Sequence, residues 1–358
     1  MTDSLPRTRA EAFAERLGVR LPILLAPMAG ACPVALSAAV ANAGGMGACG
    51  ALLMQPEAIR GWAEEFRRES QGEFQLNLWI PGPAPVRDAE AERRVREFLG
   101  GWGPAVAAEM AEGVLPHFEA QCQAMLEARP RVISSIMGVF APAFVAEMRA
   151  RGILWFATAT TVAEAQAAAD AGADAIVAQG MEAGGHRGSF RAEDAEAQMV
   201  GLFALLPQIV DAVAVPVIAA GGIADGRGVA AALVLGASAV EVGSGFLRCP
   251  EAKIAAAWAD RLVQTEAHET RVTRAFTGRA GRAVRTRYVD AWAEKGAPAA
   301  APYPLQRGLT RPMREEAARA GDAERMQMWC GQAARLARGE AAGEYAQRMW
   351  DEARELLG

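Results

Sequence analysis

The chain has few of the residues that covalent, metal or extracellular chemistry requires. Only two lysines occur, Lys253 and Lys295, and neither follows a predicted strand, which argues against a Schiff-base or pyridoxal phosphate enzyme. The five cysteines are scattered and form no CxxC pair, so neither a disulfide framework nor a zinc site is indicated, and we expect a reducing, cytoplasmic setting. The sequence contains neither an HExxH motif nor a cluster of acids at the predicted strand ends, so we predict no metal site.

A charge excess and an obvious membrane segment are also missing. The formal net charge is −5 over 358 residues and no basic stripe is present, so we expect no nucleic-acid partner. The first twenty residues carry both signs of charge and lack the apolar core of a signal peptide. Residues 21–56 contain no charged side chain, but prolines and glycines interrupt them. This stretch therefore predicts a strand, a buried helix and a second strand, and we expect no membrane partner.

What the sequence does contain is a regular alternation of short apolar runs and helical segments. The apolar fraction of 52% is enough for a large core. We predict eight strands, at residues 22–28, 46–49, 74–80, 132–137, 153–158, 174–179, 215–220 and 239–242. This pattern is typical of an α/β fold of the TIM (β/α)8 barrel type, and a doubly wound open sheet is the alternative.

The chain divides into three predicted parts. The barrel spans residues 1–249, with helices at 84–99, 104–128 and 193–214 among its crossovers. After residue 250 we predict no further strand. Residues 250–339 are assigned to a helical cap that carries part of the substrate site, and residues 340–358 to a C-terminal helix that returns to the barrel.

The most informative stretch is QGMEAGGHRG at residues 179–188, directly after the sixth predicted strand. His186 is one of only three histidines, and histidine titrates nearest to neutral pH. Glycines beside it allow a sharp turn and a close approach of the backbone to a ligand. The sequence therefore predicts either a reactive histidine at the mouth of a barrel or a tight turn whose histidine caps the next helix.

Two glycine-rich turns follow the seventh and eighth predicted strands, AAGGIADG and EVGSG. In barrels a phosphate commonly binds after these strands, and backbone N–H groups together with the helix N-terminus near Asp225 would hold it. The alternative is that the glycines only permit tight turns. Because lysine and metal chemistry are not indicated, a phosphate-bearing cofactor with its own redox chemistry fits best, and we expect flavin mononucleotide (FMN).

Several motifs together resemble one family. PILLAPMAG, FQLNLW, TATT, AIVAQGMEAGGHRG, VIAAGGIADGRG, GRAGR and PYPLQRGLTR occur in order between residues 20 and 315. They resemble the FMN-dependent class I nitronate monooxygenases, formerly called 2-nitropropane dioxygenases. The AGGH motif is also similar to that of flavin-dependent enoyl-acyl-carrier-protein reductases and quinone reductases, so a reductase using NAD(P)H stays open as the alternative function.

The resemblance implies roles for individual residues. His186 would be the catalytic residue, and Tyr303 would line the substrate pocket. After the eighth strand the family usually has Gly-Thr-Arg-Phe, and here Gly245 stands where the arginine would be. The residues expected to hold the flavin are Ala26, Pro27, Met28, Asn77, Gln179, Gly184, Gly221, Gly222, Glu241, Val242, Gly243 and Ser244.

The expected reaction is oxidation of an alkyl nitronate, or of a neutral nitroalkane, with dioxygen to a carbonyl compound and nitrite. His186 would remove the α-proton of a nitroalkane or, when protonated, hold the nitronate. Glu182 is interpreted as a loop acid that bonds backbone, and Arg279 and Arg282 as parts of the cap. A non-catalytic flavoprotein and a phosphosugar barrel enzyme remain alternatives, and the oligomeric state stays open, a homodimer included.

Overall fold

A computed structural model describes residues 5–112 and 115–358 of the chain. Eight parallel strands form one sheet in the order β1-β9-β8-β6-β5-β4-β3-β2, and a bridge between Leu24 and Met46 joins its two edges into a barrel. This confirms the predicted TIM barrel. In chain order the strands are β1 Ile23–Leu25, β2 Gly47–Gly50, β3 Phe74–Trp79, β4 Val132–Ile136, β5 Leu154–Ala159, β6 Ala175–Gln179, β7 Gly185–His186, β8 Val217–Ala220, β9 Ala239–Val242, β10 Thr270–Thr273 and β11 Gly281–Val284.

Helices cover the outside of the barrel and build much of the cap. Proline begins α3, and the side chain of Thr161 caps α7 by accepting the N–H of Glu164. The helices are α1 Leu5–Leu17, α2 Val34–Asn42, α3 Pro56–Glu69, α4 Ala89–Leu99, α5 Phe118–Ala128, α6 Pro142–Ala150, α7 Val162–Asp170, α8 Leu202–Ala212, α9 Gly226–Val234, α10 Ala256–Gln264, α11 Arg287–Ala293, α12 Leu305–Leu309, α13 Arg311–Ala320 and α14 Ala342–Leu357. Among those described, none is long and apolar enough to span a bilayer.

The barrel interior is apolar at the bottom and polar at the top. Leu24, Val132 and Phe156 fill the lower part, and α1, which the sequence did not predict, plugs it with Phe13 stacked on Phe156 at 6.2 Å between ring centroids. Because side chains alternate along a strand, the inward positions nearer the carboxyl ends fall on polar residues. These are Gln75, Asn77, Thr158, Gln179 and Glu241, and all of them except Gln75 line the cavity described below.

The region after residue 250 contains two strands that the sequence did not predict. β10 and β11 pair antiparallel, and β11 also pairs with β7, where Gly281 lies opposite His186. The histidine segment of the barrel is therefore the third strand of a small cap sheet. The strands were missed because TRVT and GRAV are only four residues long and carry arginine.

The three helices predicted at 84–99, 104–128 and 193–214 are shorter than expected, and the first begins only at Ala89. The range 104–128 holds a 3₁₀ helix at Ala108–Glu112 and then α5, and its residues 113 and 114 lie outside the described residues. The range 193–214 becomes helical only at Leu202, whose N–H is capped by Glu182. After α13 the chain turns at Gly321, with φ +63°, and continues irregularly.

Candidate active site

A cavity of about 430 Å³ opens at the carboxyl ends of the strands, between barrel and cap. Val242 does not line it, because Glu241 points inward and its neighbour therefore points outward, into the layer under the helices. The predicted site residues that do line the cavity are Ala26, Pro27, Met28, Asn77, Gln179, Gly184, His186, Gly221, Gly222, Glu241, Gly243, Ser244 and Tyr303. Residues separated by up to 277 positions in the sequence, from Ala26 to Tyr303, thus share one space.

At one side of the cavity lies a glycine cradle, formed by residues 221–223 and 243–244. Gly221 and Gly222 have φ of +108° and +72°, a region that other residues rarely adopt. The N–H groups of Gly222, Ile223, Gly243 and Ser244 donate to no acceptor within residues 5–112 and 115–358. Ser244 Oγ accepts the N–H of Gly331 at 2.8 Å, which leaves its own proton for a ligand. Converging unpaired N–H groups of this kind suit a phosphate.

The predicted contribution of a helix N-terminus to this cradle is wrong. At the start of α9, Asp225 accepts the N–H groups of Arg227 and Gly228 at 3.1 and 3.2 Å. Glu352 of α14 accepts the N–H of Gly226 at 3.0 Å. Because these carboxylates already occupy the helix end, the cradle consists of loop backbone and Ser244 alone.

Gln179 holds the histidine segment. Its Oε1 accepts the N–H of Gly188 at 2.8 Å, and its Nε2 donates to the carbonyl of His186 at 3.1 Å. Both ends of the amide are therefore engaged, although the side chain still lines the cavity. Asn77 differs, because its Nδ2 donates to Ser134 and its carbonyl oxygen remains available to a ligand.

The carboxyl group of Glu241 lies at the cavity floor beside Gln75. Gln75 Nε2 donates to Glu241 Oε1 at 2.8 Å and to the carbonyl of Leu25 at 3.1 Å. Burial raises the pKa of Glu241 to about 7, and the Gln75 hydrogen bond lowers it by less. Gln75 Oε1 is buried and has no partner in the described chain, so a proton on Glu241 would supply a donor beside it.

His186 stands between two tryptophans. Its ring centroid is 4.6 Å from that of Trp79 and 4.8 Å from that of Trp329. Nε2 is 2.8 Å from Thr277 Oγ1, and that hydroxyl donates to the carbonyl of Arg279. The Thr277 oxygen therefore accepts from Nε2–H, which leaves Nδ1 as the unprotonated nitrogen.

The surroundings keep His186 uncharged. Burial, with a smaller repulsion from Arg279 and Arg307, lowers its pKa from 6.5 to about 3. The ring is thus neutral at physiological pH and can accept a proton. This lowered pKa argues against the alternative in which a protonated His186 holds an anion. The positive charge near the ring comes from Arg279 and Arg307 instead.

The other candidates have distinct positions. Tyr303 packs on Trp79 at 5.1 Å, its hydroxyl has no partner among the described residues, and burial raises its pKa to about 12. Glu182 accepts the N–H of Leu202 at 2.9 Å, which is the backbone role expected of it. Arg282 donates to the carbonyl of Met181 at 2.9 Å, so it ties the cap to the histidine segment.

Several cavity residues were not predicted from the sequence. Trp79 ends β3, where its position after Asn77 was the available signal, and Arg307 lies within the PYPLQRGLTR motif without having been assigned a role. Gly184 has a second role, because a Cβ there would lie 2.4 Å from the nitrogen of Gly331 in the cap. The unpredicted residues that surround His186 and the cavity mouth are Trp79, Thr277, Arg307, Arg314, Gln327 and Trp329.

Comparison with known proteins agrees with this geometry. Residues 11–351 match the sequence model of the family described as Nitronate monooxygenase. A probable nitronate monooxygenase of Staphylococcus aureus (strain Newman) is 34% identical over 330 residues, which are 91% of this chain and 92% of the relative. The chain belongs to the nitronate monooxygenase family. It is thus a flavin oxidoreductase, as its motifs implied.

Solved structures point the same way. Nitroalkane oxidase from Streptomyces ansochromogenes is 35% identical, covers 96% of this chain and 100% of its own, and superposes with a TM-score of 0.86. FabK from Thermotoga maritima is 27% identical, covers 97% and 96%, and has a lower TM-score of 0.75. Within the shared barrel, the chain is thus more similar to the nitroalkane oxidase than to FabK.

Proposed function

We propose that the protein is an FMN-dependent monooxygenase that oxidises small alkyl nitronates, and their parent nitroalkanes, with dioxygen to a carbonyl compound and nitrite. The observation that carries the proposal is the position of His186, hydrogen-bonded to Thr277 and flanked by tryptophans, in the same cavity as the glycine cradle. Membership of the nitronate monooxygenase family supports it.

The residues present fit FMN. The unpaired N–H groups of the glycine cradle and the Ser244 hydroxyl match one phosphate, and the apolar segment Ala26-Pro27-Met28 offers a flat wall for the ring. The Nδ2 group of Asn77 is already bonded to Ser134, so Asn77 would only accept a hydrogen bond, through its side-chain oxygen, from the edge of the flavin ring. When bound, the flavin accepts electrons from the substrate and passes them to dioxygen.

The chain's own residues would handle the proton and exclude water. His186 Nδ1 would take the α-proton of a neutral nitroalkane, while Nε2–H stays bonded to Thr277. Trp79 and Trp329 flank the imidazole ring of His186, and Tyr303 packs on Trp79. These three side chains would limit solvent around the reacting carbon. The positive charge of Arg279 would favour the anion that forms.

The test compares His186→Asn on two substrates. Loss of a general base costs about 10²–10⁴-fold, so kcat/KM for nitroethane should fall by that factor, while preformed ethyl nitronate should lose much less. In the wild-type protein kcat/KM for nitroethane should show no inflection near pH 6.5, because the pKa of His186 lies at about 3. Equal losses with both substrates would show that His186 positions the cofactor rather than moving a proton.

The competing reductase function is testable on the same preparation. The likeness to FabK favours that candidate over a phosphosugar enzyme. Anaerobic NADH or NADPH should leave the flavin absorbance unchanged if the monooxygenase proposal is right, and anaerobic ethyl nitronate should bleach it. Heat-released supernatant without FMN would contradict the cofactor assignment.

A further inference from the structure

A second depression adjoins the cavity on its cap side. It has a volume of about 480 Å³ and is walled by α12, α13 and the 3₁₀ helix Ala108–Glu112. Leu53, Arg307 and Arg314 line both this depression and the cavity. These three residues, named here the arginine portal, therefore stand between the solvent-facing depression and the space around His186.

Neither portal arginine forms an ion pair with an acid of the described chain. The guanidinium of Arg307 has no hydrogen-bond or ion-pair partner there, and only its backbone carbonyl accepts hydrogen bonds, from Thr310 and Arg314. Arg314 donates to three neutral oxygens, on Thr310, Gln327 and the backbone of Arg307, at 2.9–3.1 Å. Burial lowers the pKa of Arg314 to about 10, so it stays cationic at neutral pH.

The acids that face the depression pair with other arginines. Glu315 bonds Arg311 at 2.7 Å, and its attraction for Arg314 is smaller than the repulsion between Arg314 and Arg307. Glu112 lies 3.7 Å from Arg87. Glu109 lines the depression without an ion pair to either portal arginine. The outer depression thus carries both signs of charge, whereas the portal itself carries only positive charge.

We propose that the arginine portal is an anion-selective entrance that draws the negatively charged substrate from the outer depression to His186. The inference rests on the proposed function for the identity of that anion, a nitronate, and adds the route and the residues that select it. Charges at the mouth of a cleft raise association rates by 10–10³-fold, and the effect falls with ionic strength. Removing one such charge changes the association rate and its salt dependence.

Arg307→Gln is the decisive variant, because the Arg307 side chain holds no other residue in place. Arg311→Gln is its matched control, since Arg311 lies one turn further along, lines only the outer depression and is paired with Glu315. Arg307→Lys keeps the charge. Glu109→Gln removes a negative charge from the depression and should act in the opposite direction.

The first measurement is kcat/KM for ethyl nitronate and nitroethane, which differ by one proton, at low and high ionic strength. Arg307→Gln should lower the ratio of kcat/KM for ethyl nitronate to kcat/KM for nitroethane roughly tenfold at low salt, and the ratio should depend less on salt than in the wild type. Arg307→Lys should restore most of the ratio, Glu109→Gln should raise it, and Arg311→Gln should stay within about twofold of wild type. Equal salt dependence in the wild type, Arg307→Gln and Arg311→Gln proteins would overturn the portal.

The second measurement does not need turnover. Nitrate, an unreactive planar anion, is titrated into the flavin-loaded protein while the flavin absorbance is followed. Nitrate binding that is weaker than wild type in Arg307→Gln but unchanged in Arg311→Gln supports the portal. This holds even if the wild type fails to oxidise nitronate, because that failure would reject the proposed function alone. Identical nitrate affinity in all three proteins would reject the portal alone.

Discussion

Glu241 shows how one buried carboxyl group can set a pH dependence. It faces the cavity floor, and its pKa is raised from the usual 4.5 to about 7, because burial disfavours the charged form. A group whose pKa is higher in the folded protein contributes stability at low pH, and that contribution is lost as pH rises through the folded value. For Glu241 the loss falls between about pH 4.5 and pH 7.

Glu241→Gln should therefore stabilise the protein at pH 8 and change little at pH 4.5. The glutamine keeps the acceptor for Gln75 Nε2 and brings a permanent donor beside the unpartnered Gln75 Oε1. We expect a gain of about 1–3 kcal/mol in the free energy of unfolding at pH 8. Urea titrations of the variant at both pH values measure it, with the exposed Glu344→Gln as control. A gain that is independent of pH would contradict the assignment.

At the scale of elements, the sequence was most informative where apolar runs marked the strands and functional residues directly followed them. The barrel strands followed from apolar runs of four to seven residues, and the cradle followed from glycines directly after β8 and β9. Gln179 and Glu241 were predicted for the site and line the cavity, but their partners, Gly188 and Gln75, depend on the loop path and on a strand across the barrel. No local pattern encodes such pairings.

The cap was least predictable for the same reason. His186 belongs to a strand of only two residues, and its pairing with Gly281 joins positions 95 apart in the sequence. Thr277, which fixes the tautomer, reaches His186 only because of that pairing. Likewise, the sequence around α9 gave no sign that Glu352, 126 residues further along the chain, accepts the N–H of Gly226 at the N-terminus of that helix. Tertiary contacts therefore decided what the motifs left open.

Gly222→Asp tests the cradle as an element. A Cβ at Gly222 would meet only the Glu182 side chain at 3.4 Å, so steric clash is small, whereas a carboxylate would stand beside both Glu182 and the bound phosphate. We expect the Kd for FMN to rise at least tenfold and the Kd for riboflavin, which has no phosphate, to rise less. Fluorescence titrations measure both.

The matched control for that variant is Gly321→Asp. Gly321 has a similar φ of +63° but lies at the end of α13, where an added Cβ would meet no atom within 4 Å among the described residues. It therefore introduces the same backbone strain without a charge near the cradle. If both variants lose FMN affinity equally, backbone strain rather than phosphate repulsion explains the loss.

At the scale of the whole molecule, the C-terminal helix reaches the site from behind. α14 packs on α9 and α2, and its Tyr345 hydroxyl donates to the carbonyl of Ala224, in the segment that follows the cradle. A Cβ at Gly245 would lie 2.9 Å from the Tyr345 hydroxyl. The tyrosine side chain thus fills the space beside Gly245, and any larger residue there, including the arginine that the family resemblance implied, would collide with it.

Tyr345→Phe should consequently affect both stability and cofactor binding. Loss of the hydroxyl leaves the buried Ala224 carbonyl without its donor, which costs about 1–3 kcal/mol in the free energy of unfolding. Because that carbonyl is two residues from Gly222, we also expect the Kd for FMN to rise severalfold. Gln347→Ala, which on the same helix bonds only Asp351, should change neither quantity. A variant that loses stability but binds FMN as tightly as wild type would show that α14 supports the barrel without holding the cradle.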